Sequence, residues 1–219
     1  MKKITLPLTQ TYSTSLDLKA IPKEGIVQRD GHTEIHFPQM DFGKSNEVLL
    51  VVRENGSLVV YAATSIEGQI DQILVNYLFG SANKPNDRKD FFVQQILQSP
   101  GLTYSLKRDF LSKIVNDHDL LEGKDKNHLA AGLKKIMIWR NAFAHGTIHY
   151  DATRGAEIKY FSGSPQVQAL SDEYWTEVEE CFSQADALLK RTLDELIRLD
   201  VGYSEGSISS HGAIGTPIR

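Results

Sequence analysis

The sequence predicts an α+β fold: an N-terminal antiparallel β portion, then a mainly helical bundle interrupted by a β-hairpin. Three observations carry this expectation. Before Thr64 the chain alternates polar with apolar residues or gathers β-branched ones around turn formers. From Thr64 onward the apolar residues recur at helical spacing. Between Gly146 and Phe161 two short alternating runs break that helical pattern.

In the N-terminal part, Thr33-Glu34-Ile35-His36-Phe37 alternates polar with apolar, and Glu47 to Arg53 is a short apolar run. Asn55-Gly56 separates that run from Leu58-Val59-Val60-Tyr61, which is the pattern of a hairpin turning on Asn-Gly. The spacing Thr64-Ser65-Ile66-Glu67 fits a capping box, in which hydroxyl and carboxylate satisfy free amides at a helix start. Ile66, Ile70, Ile73, Leu74, Tyr77 and Leu78 then predict a first core helix from about Ile66 to Phe79, stopped by Gly80.

A second helix is expected around Phe91, Phe92, Gln95 and Ile96, broken by Pro100-Gly101. A third carries Leu106, Phe110, Leu111 and Ile114. The fourth begins near Asp125 or Asn127, carries Leu129, Leu133, Ile136, Met137 and Phe143 on one face, and ends at Gly146. Strands are expected over Thr147–Asp151 and Ala156–Phe161, around the turn Thr153-Arg154-Gly155. A long helix from Ser171 presents Trp175, Val178, Phe182, Ala185, Leu188, Leu189, Leu196 and Leu199 as one stripe. The organisation expected is a β-rich portion over 1–62, a helical domain over 63–200 with its hairpin near 147–161, and a flexible Gly- and Ser-rich tail over 201–219.

With 219 residues the chain is long enough to bury a sizeable core. No apolar run approaches the ~20 residues needed to cross a bilayer. Met1-Lys2-Lys3-Ile4-Thr5-Leu6-Pro7 lacks the sustained apolar stretch and cleavage site of a signal peptide, so a cytoplasmic protein is expected. Cys181 is the single cysteine, which excludes an intrachain disulfide and a cysteine-based zinc site. A net charge of -4 argues against nucleic-acid binding by bulk attraction. The charge is uneven, however: between Gly101 and His145 eight cations face five acids, whereas between Ser171 and Asp200 nine acids face three cations. This pattern allows a local basic surface around the end of the fourth helix, the plainer reading being two solvated helix faces.

That helix ends in Arg140-Asn141-Ala142-Phe143-Ala144-His145-Gly146. A permanent guanidinium can hold a phosphate oxygen through parallel hydrogen bonds, and an imidazole can move a proton near neutral pH; together they suit phosphodiester chemistry. On an ideal helix Arg140 and His145 lie ~140° apart while Asn141 and His145 share a face, so the pair flanks a groove instead of forming a closed unit. The carbonyl end of the helix favours a cation at His145.

Arg140 to His145 resembles the R-x(4-6)-H signature of the HEPN superfamily (higher eukaryotes and prokaryotes nucleotide-binding domains), in which a polar residue, often Asn, follows the Arg. The resemblance spans roughly Thr64 to Asp200 and includes the motif's place at the end of a core helix, with a long amphipathic helix after it. It implies a HEPN-type bundle and a metal-independent, cofactor-free endoribonuclease that cuts RNA by attack of its own 2′-hydroxyl. The two motifs of a homodimer would line one cleft. By position His145 would be the general acid or base, Arg140 would stabilise the phosphorane, and Asn141 would orient one of them. The resemblance further implies a toxin or phage-defence role, with an antitoxin or regulatory protein as partner. A catalytically silent HEPN-like module binding RNA, nucleotide or protein is the alternative.

Further residues have both functional and ordinary readings. Glu67 can reach the cleft or only cap its helix, and Asp71 one turn later shares the ambiguity. Lys134 and Lys135 can contact the RNA backbone or lie solvated. Tyr150 and Trp139 can stack on bases or fill the core. His149 follows His145 by four residues, but Gly146 separates a helix from a strand there, so a paired metal site is not expected. His118 and His128 read as solvated.

Overall fold

The computed structural model describes residues 12–14, 26–29, 32–35, 42–80, 86–151 and 153–206, with side chains from 46 to 199 within those ranges. The described chain is mainly helical with a small, largely antiparallel sheet. In chain order it comprises β1 (Tyr12–Thr14), β2 (Ile26–Arg29), β3 (His32–Ile35), α1 (Phe42–Phe79), α2 (Asp87–Phe91), a π-helix (Phe92–Leu97), α3 (Tyr104–Asp117) and α4 (Gly123–His145). Then follow β4 (Thr147–Asp151), β5 (Gly155–Phe161), β6 (Pro165–Ala169) and α5 (Asp172–Gly206).

The chain divides into two compact units, one built from 1–61 and 138–179, the other from 62–137 and 180–219. In the first unit β4, β5 and β6 form an antiparallel sheet, with Ile148 opposite Ile158 and Lys159 opposite Val167; β1 joins parallel at β4. β2 and β3 pair as a separate antiparallel hairpin. Ile148, Ala156 and Ile158 share the buried face of the sheet, as the period of two requires. Trp139, Phe143, Tyr174 and Trp175 supply an aromatic core: Trp139 meets Tyr174 edge to face at 6.1 Å, and Phe143 stacks on Trp175 at 5.6 Å.

The second unit buries Ile66, Ile70 and Ile73 of α1, Leu111 and Ile114 of α3, Leu129, Leu133 and Ile136 of α4, and Leu188, Leu189 and Leu196 of α5. Cys181 lies in this unit with its Sγ 3.7 Å from the Gly132 carbonyl oxygen.

Several expected elements are observed. The alternating run at 33–35 lies in β3, while 36 and 37 fall outside the described residues. The fourth helix, the strands at 147–151 and 155–161 and the final helix lie where their patterns place them. Gly80 stops α1 in a left-handed conformation, φ 73°, with its N–H donating to the Asn76 carbonyl at 2.9 Å.

Three expectations are overturned. The hairpin read across Glu47 to Tyr61 is helix, part of the 38 residues of α1. Its buried positions Val52, Gly56, Val59, Ala63, Ile66, Ile70 and Ile73 alternate spacings of four and three, the seam of a helix that packs along its length. Consequently Thr64-Ser65-Ile66-Glu67 is interior to α1 and caps nothing, because the amides there already have partners one turn back. Residues 201–206 of the expected tail are helical, since α5 continues to Gly206, and residues 207–219 lie outside the described residues. β6 had no counterpart among the expected elements.

Gly56 is the residue that misled the hairpin reading. A Cβ there would lie 2.7 Å from Cδ1 of Phe143, so the absent side chain lets the helix backbone meet the ring. Gly68, exposed on the same helix, would meet nothing within 4 Å. The two glycines should therefore respond with opposite signs. Gly56→Ala should destabilise by about 1–2 kcal/mol, overpacking of about 1–3 kcal/mol being partly offset by helix propensity. Gly68→Ala should stabilise by up to about 1 kcal/mol. Urea unfolding of both variants checks this, and equal signs would contradict the packing described.

Candidate functional site

Phe143 fixes the orientation of the α4 terminus. It is fully buried against Gly56 and Trp175, which points its side of the helix into the core. At 100° per residue, Arg140 lies roughly 60° from the Phe143 direction, and Asn141 and His145 roughly 160° from it on either side. The exposures follow: Arg140 is half-buried at the edge of the core, while Asn141 and His145 are exposed. Ala142, turned inward, is buried.

The helix ends abruptly after His145. The Gly146 N–H donates to the Ala142 carbonyl at 2.7 Å, and β4 begins at the next residue. A Cβ on Gly146 would sit 2.3 Å from that carbonyl oxygen and 3.0 Å from the Lys159 carbonyl oxygen. Only glycine permits so tight a passage from helix to strand, and the passage seats His145 at a fixed edge. The side chains of Arg140, Asn141 and His145 make no hydrogen bond or ion pair with another described residue. Arg140 neither pairs with a described carboxylate nor touches His145. A cation, an amide and an imidazole are thus presented with no polar partner among the described residues.

The other sequence-predicted residues divide between the two units. Tyr150 is half-buried and lies on the Ile148 side of β4, opposite Ala156. Trp139 is core and packs on Tyr174, so a base-stacking role for it is withdrawn. Lys134 and Lys135 are exposed on α4 in the second unit. His149 stands opposite Glu157 across the β4–β5 ladder; burial, then the Lys159 charge, pull its pKa below the usual histidine range. His118 and His128 are exposed, bonded to the Tyr77 hydroxyl at 3.2 Å and the Gln184 amide at 3.1 Å.

Glu67, also in the second unit, is committed elsewhere. Lys107 is only 4% exposed, and its Nζ donates to Glu67 Oε1 and Asp71 Oδ2, each at 2.9 Å. Burial pushes the Asp71 carboxyl above its ordinary range despite this ammonium, and the Glu67 charge adds to the rise. Burial alone would lower the Lys107 pKa, but its two carboxylate bonds outweigh it and raise it. Lys107 was legible as unusual: it holds an inward position of α3 between Tyr104 and Leu111, where an unpaired lysine would be costly, and Glu67 and Asp71 offer acids one turn apart.

The basic surface that the charge pattern between Gly101 and His145 allows is correspondingly reduced. Besides Lys107, Arg108 pairs with Asp109 at 2.8 Å, Lys113 with Asp117 at 2.8 Å and Lys126 with Asp119 at 2.6 Å. Half of the cations in that stretch are neutralised by acids of the chain itself.

Neither a family model, a curated protein nor a solved structure matches the chain.

The Lys107 cluster carries its own test. Lys107→Met leaves two neighbouring carboxylates without their shared donor and should cost about 2 kcal/mol in urea unfolding. Adding Glu67→Gln and Asp71→Asn to that variant should restore more than half of the loss. A triple variant as unstable as the single one would show that the lysine acts by packing alone.

Proposed function

We propose that the protein is a metal-independent endoribonuclease of HEPN type. The observation that carries this reading is the Arg140-Asn141-His145 set, without polar partners among the described residues, at the abruptly terminated end of α4. The resemblance of the same residues to the R-x(4-6)-H signature supports it. In this reading His145 takes the proton of an RNA 2′-hydroxyl or returns one to the leaving 5′-oxygen. Arg140 binds the phosphate and neutralises the charge gathering on it as the hydroxyl attacks, and Asn141 orients the phosphate or the imidazole. DNA, lacking the attacking hydroxyl, is not a substrate.

Arg140 and His145 diverge by ~140° around α4, so one terminus is poorly disposed to grip a phosphate from both sides. The reading therefore includes a homodimer in which a second copy completes the cleft. The neutralised cations of α3 and α4 suit it as well: selectivity would rest on a small phosphate-directed site in place of a broad basic face.

Incubating the purified protein with RNA and a chelator should produce 2′,3′-cyclic phosphate ends without added metal. His145→Ala and Arg140→Ala should each reduce the rate by about 100-fold or more, the scale of general acid–base and oxyanion-type contributions. Growth arrest on expression should disappear in His145→Ala. Cleavage that needs metal would defeat the mechanism, and binding of RNA without cleavage would instead identify a silent binding module.

A further inference from the structure

The outer edge of the sheet carries hydrogen-bonding groups arranged to match themselves. Among the described strands the sheet order is β1-β4-β5-β6, which leaves β6 on the outside. The Leu170 N–H donates to the Ala156 carbonyl at 2.8 Å, and the Ser162 N–H to the Ser164 carbonyl at 3.0 Å. Both bonds continue the β5–β6 register, in which Ile158 stands opposite Gln168 and Tyr160 opposite Gln166. Hydrogen-bonded pairs alternate along an antiparallel ladder, so Gln166 and Gln168 turn their backbone groups toward β5. Pro165, Val167 and Ala169 turn theirs outward.

Val167 and Ala169 present N–H donors on that edge, and Pro165 and Val167 present carbonyl acceptors. None of these groups has a partner among the described residues. Proline has no N–H to add. The Ala169 carbonyl already accepts from Gln168 Nε2 at 3.0 Å. The edge therefore lacks one donor, at Pro165, and one free acceptor, at Ala169.

Those two omissions coincide when the strand meets a copy of itself. In an antiparallel pair centred on Val167, that residue exchanges two hydrogen bonds with Val167 of the second copy. Pro165 then lies opposite Ala169, and each Ala169 N–H reaches a Pro165 carbonyl. The reverse bond would join a donor that does not exist to an acceptor already used. Every free group of the edge is satisfied. Moving the axis to Gln166 sets Pro165 opposite Val167 and leaves the Val167 carbonyl empty. Moving it to Gln168 loads the Ala169 carbonyl twice and leaves Pro165 with no strand residue opposite.

The side chains agree with this register. Exposed edges are ordinarily guarded by charges, and β6, Pro-Gln-Val-Gln-Ala, has none. Phe161 stands opposite Pro165 and shares a face with Val167, and the two large side chains are 73% and 59% exposed. Across the axis the Val167 side chains meet as a β-branched pair.

We propose that β6 is an assembly edge, pairing antiparallel with β6 of a second copy about a two-fold axis at Val167 and making one continuous sheet. Thr147, Lys159 and Val167 form a single row across the sheet. At ~4.8 Å per strand, the points where α4 passes into β4 stand about 24 Å apart in the pair. They do not share a phosphate at that distance, and the contact stands apart from the ribonuclease reading.

Disulfide trapping tests it in the full chain carrying Cys181→Ser, which removes the single native thiol. Val167→Cys on that background should form a disulfide-linked dimer under mild oxidation. Opposed residues of a hydrogen-bonded pair have Cα atoms ~5.5 Å apart, within the span of a disulfide. Pro165→Cys and Ala169→Cys chains should each stay monomeric on a non-reducing gel, their own copies lying roughly 13 Å away along the strand, yet a mixture of the two should cross-link. Val167→Pro removes the outward N–H without touching the bonds to β5, so sedimentation velocity should show the loss of one association step while circular dichroism stays unchanged. Should proline disturb the fold, Val167→Lys, which sets two like charges face to face, reads the same step. Absence of the Val167→Cys dimer, equal cross-linking by Pro165→Cys alone, or an association state unmoved in the folded Val167 variants would each overturn the proposal.

Discussion

The contact between the Phe143 ring and the bare backbone of Gly56 orients the end of α4. It joins residues 56 and 143, which are remote in sequence, and it is closed on the other side by Trp175 of α5. Because a helix rotates 100° per residue, fixing Phe143 inward fixes everything within one turn of it. Arg140 is held at the margin of the core, and Asn141 and His145 are turned outward. None of the three needs a bond to another described residue to acquire its place on the helix. Close packing, which tolerates little rotation, supplies it.

Gly146 supplies the complementary constraint. A residue with a Cβ would collide with the Ala142 carbonyl, and the helix would have to fray or the strand shift. Fraying would move His145 first, since it is the last helical residue. The backbone of His145 is thus held from within by Phe143 and from the C-terminal side by the start of β4.

The end of α4, the strands beyond it and the long stripe of α5 were legible from local patterns, because their periods of 3.6 and 2.0 are short-range properties. The first half of α1 was not. Leu49-Leu50-Val51-Val52 and Leu58-Val59-Val60-Tyr61 carry strand-forming side chains, and Asn55-Gly56 between them has the chemistry of a tight turn. The glycine serves a partner 87 positions away, and no window short enough to define a turn contains that partner. The alternation of four and three from Val52 to Ile73 was present throughout, but its weakest members, Gly56 and Ala63, contribute little hydrophobicity. Small residues at a seam mark close approach, which hydrophobic counting overlooks. Lys107 posed the reverse problem: as one of eight cations it suggested a basic surface, whereas its place on the apolar face of α3 specified a buried partner.

Lys107 and Arg140 show why the α4 terminus stands apart. Both are cations drawn toward the core, and taking a charge out of water costs free energy that a partner must offset. For Lys107 the chain provides two carboxylates at 2.9 Å. For Arg140 it provides none among the described residues. A guanidinium is more weakly hydrated than an ammonium and tolerates partial burial better, but an apolar residue at the same margin would incur no such cost. An anion arriving from outside, hydrogen-bonded by the guanidinium and flanked by the exposed amide and imidazole, would recover the lost interaction. That contrast, between a lysine paired within the chain and an arginine with no partner among the described residues, is a physical reason, separate from motif resemblance, to look for a phosphate at Arg140.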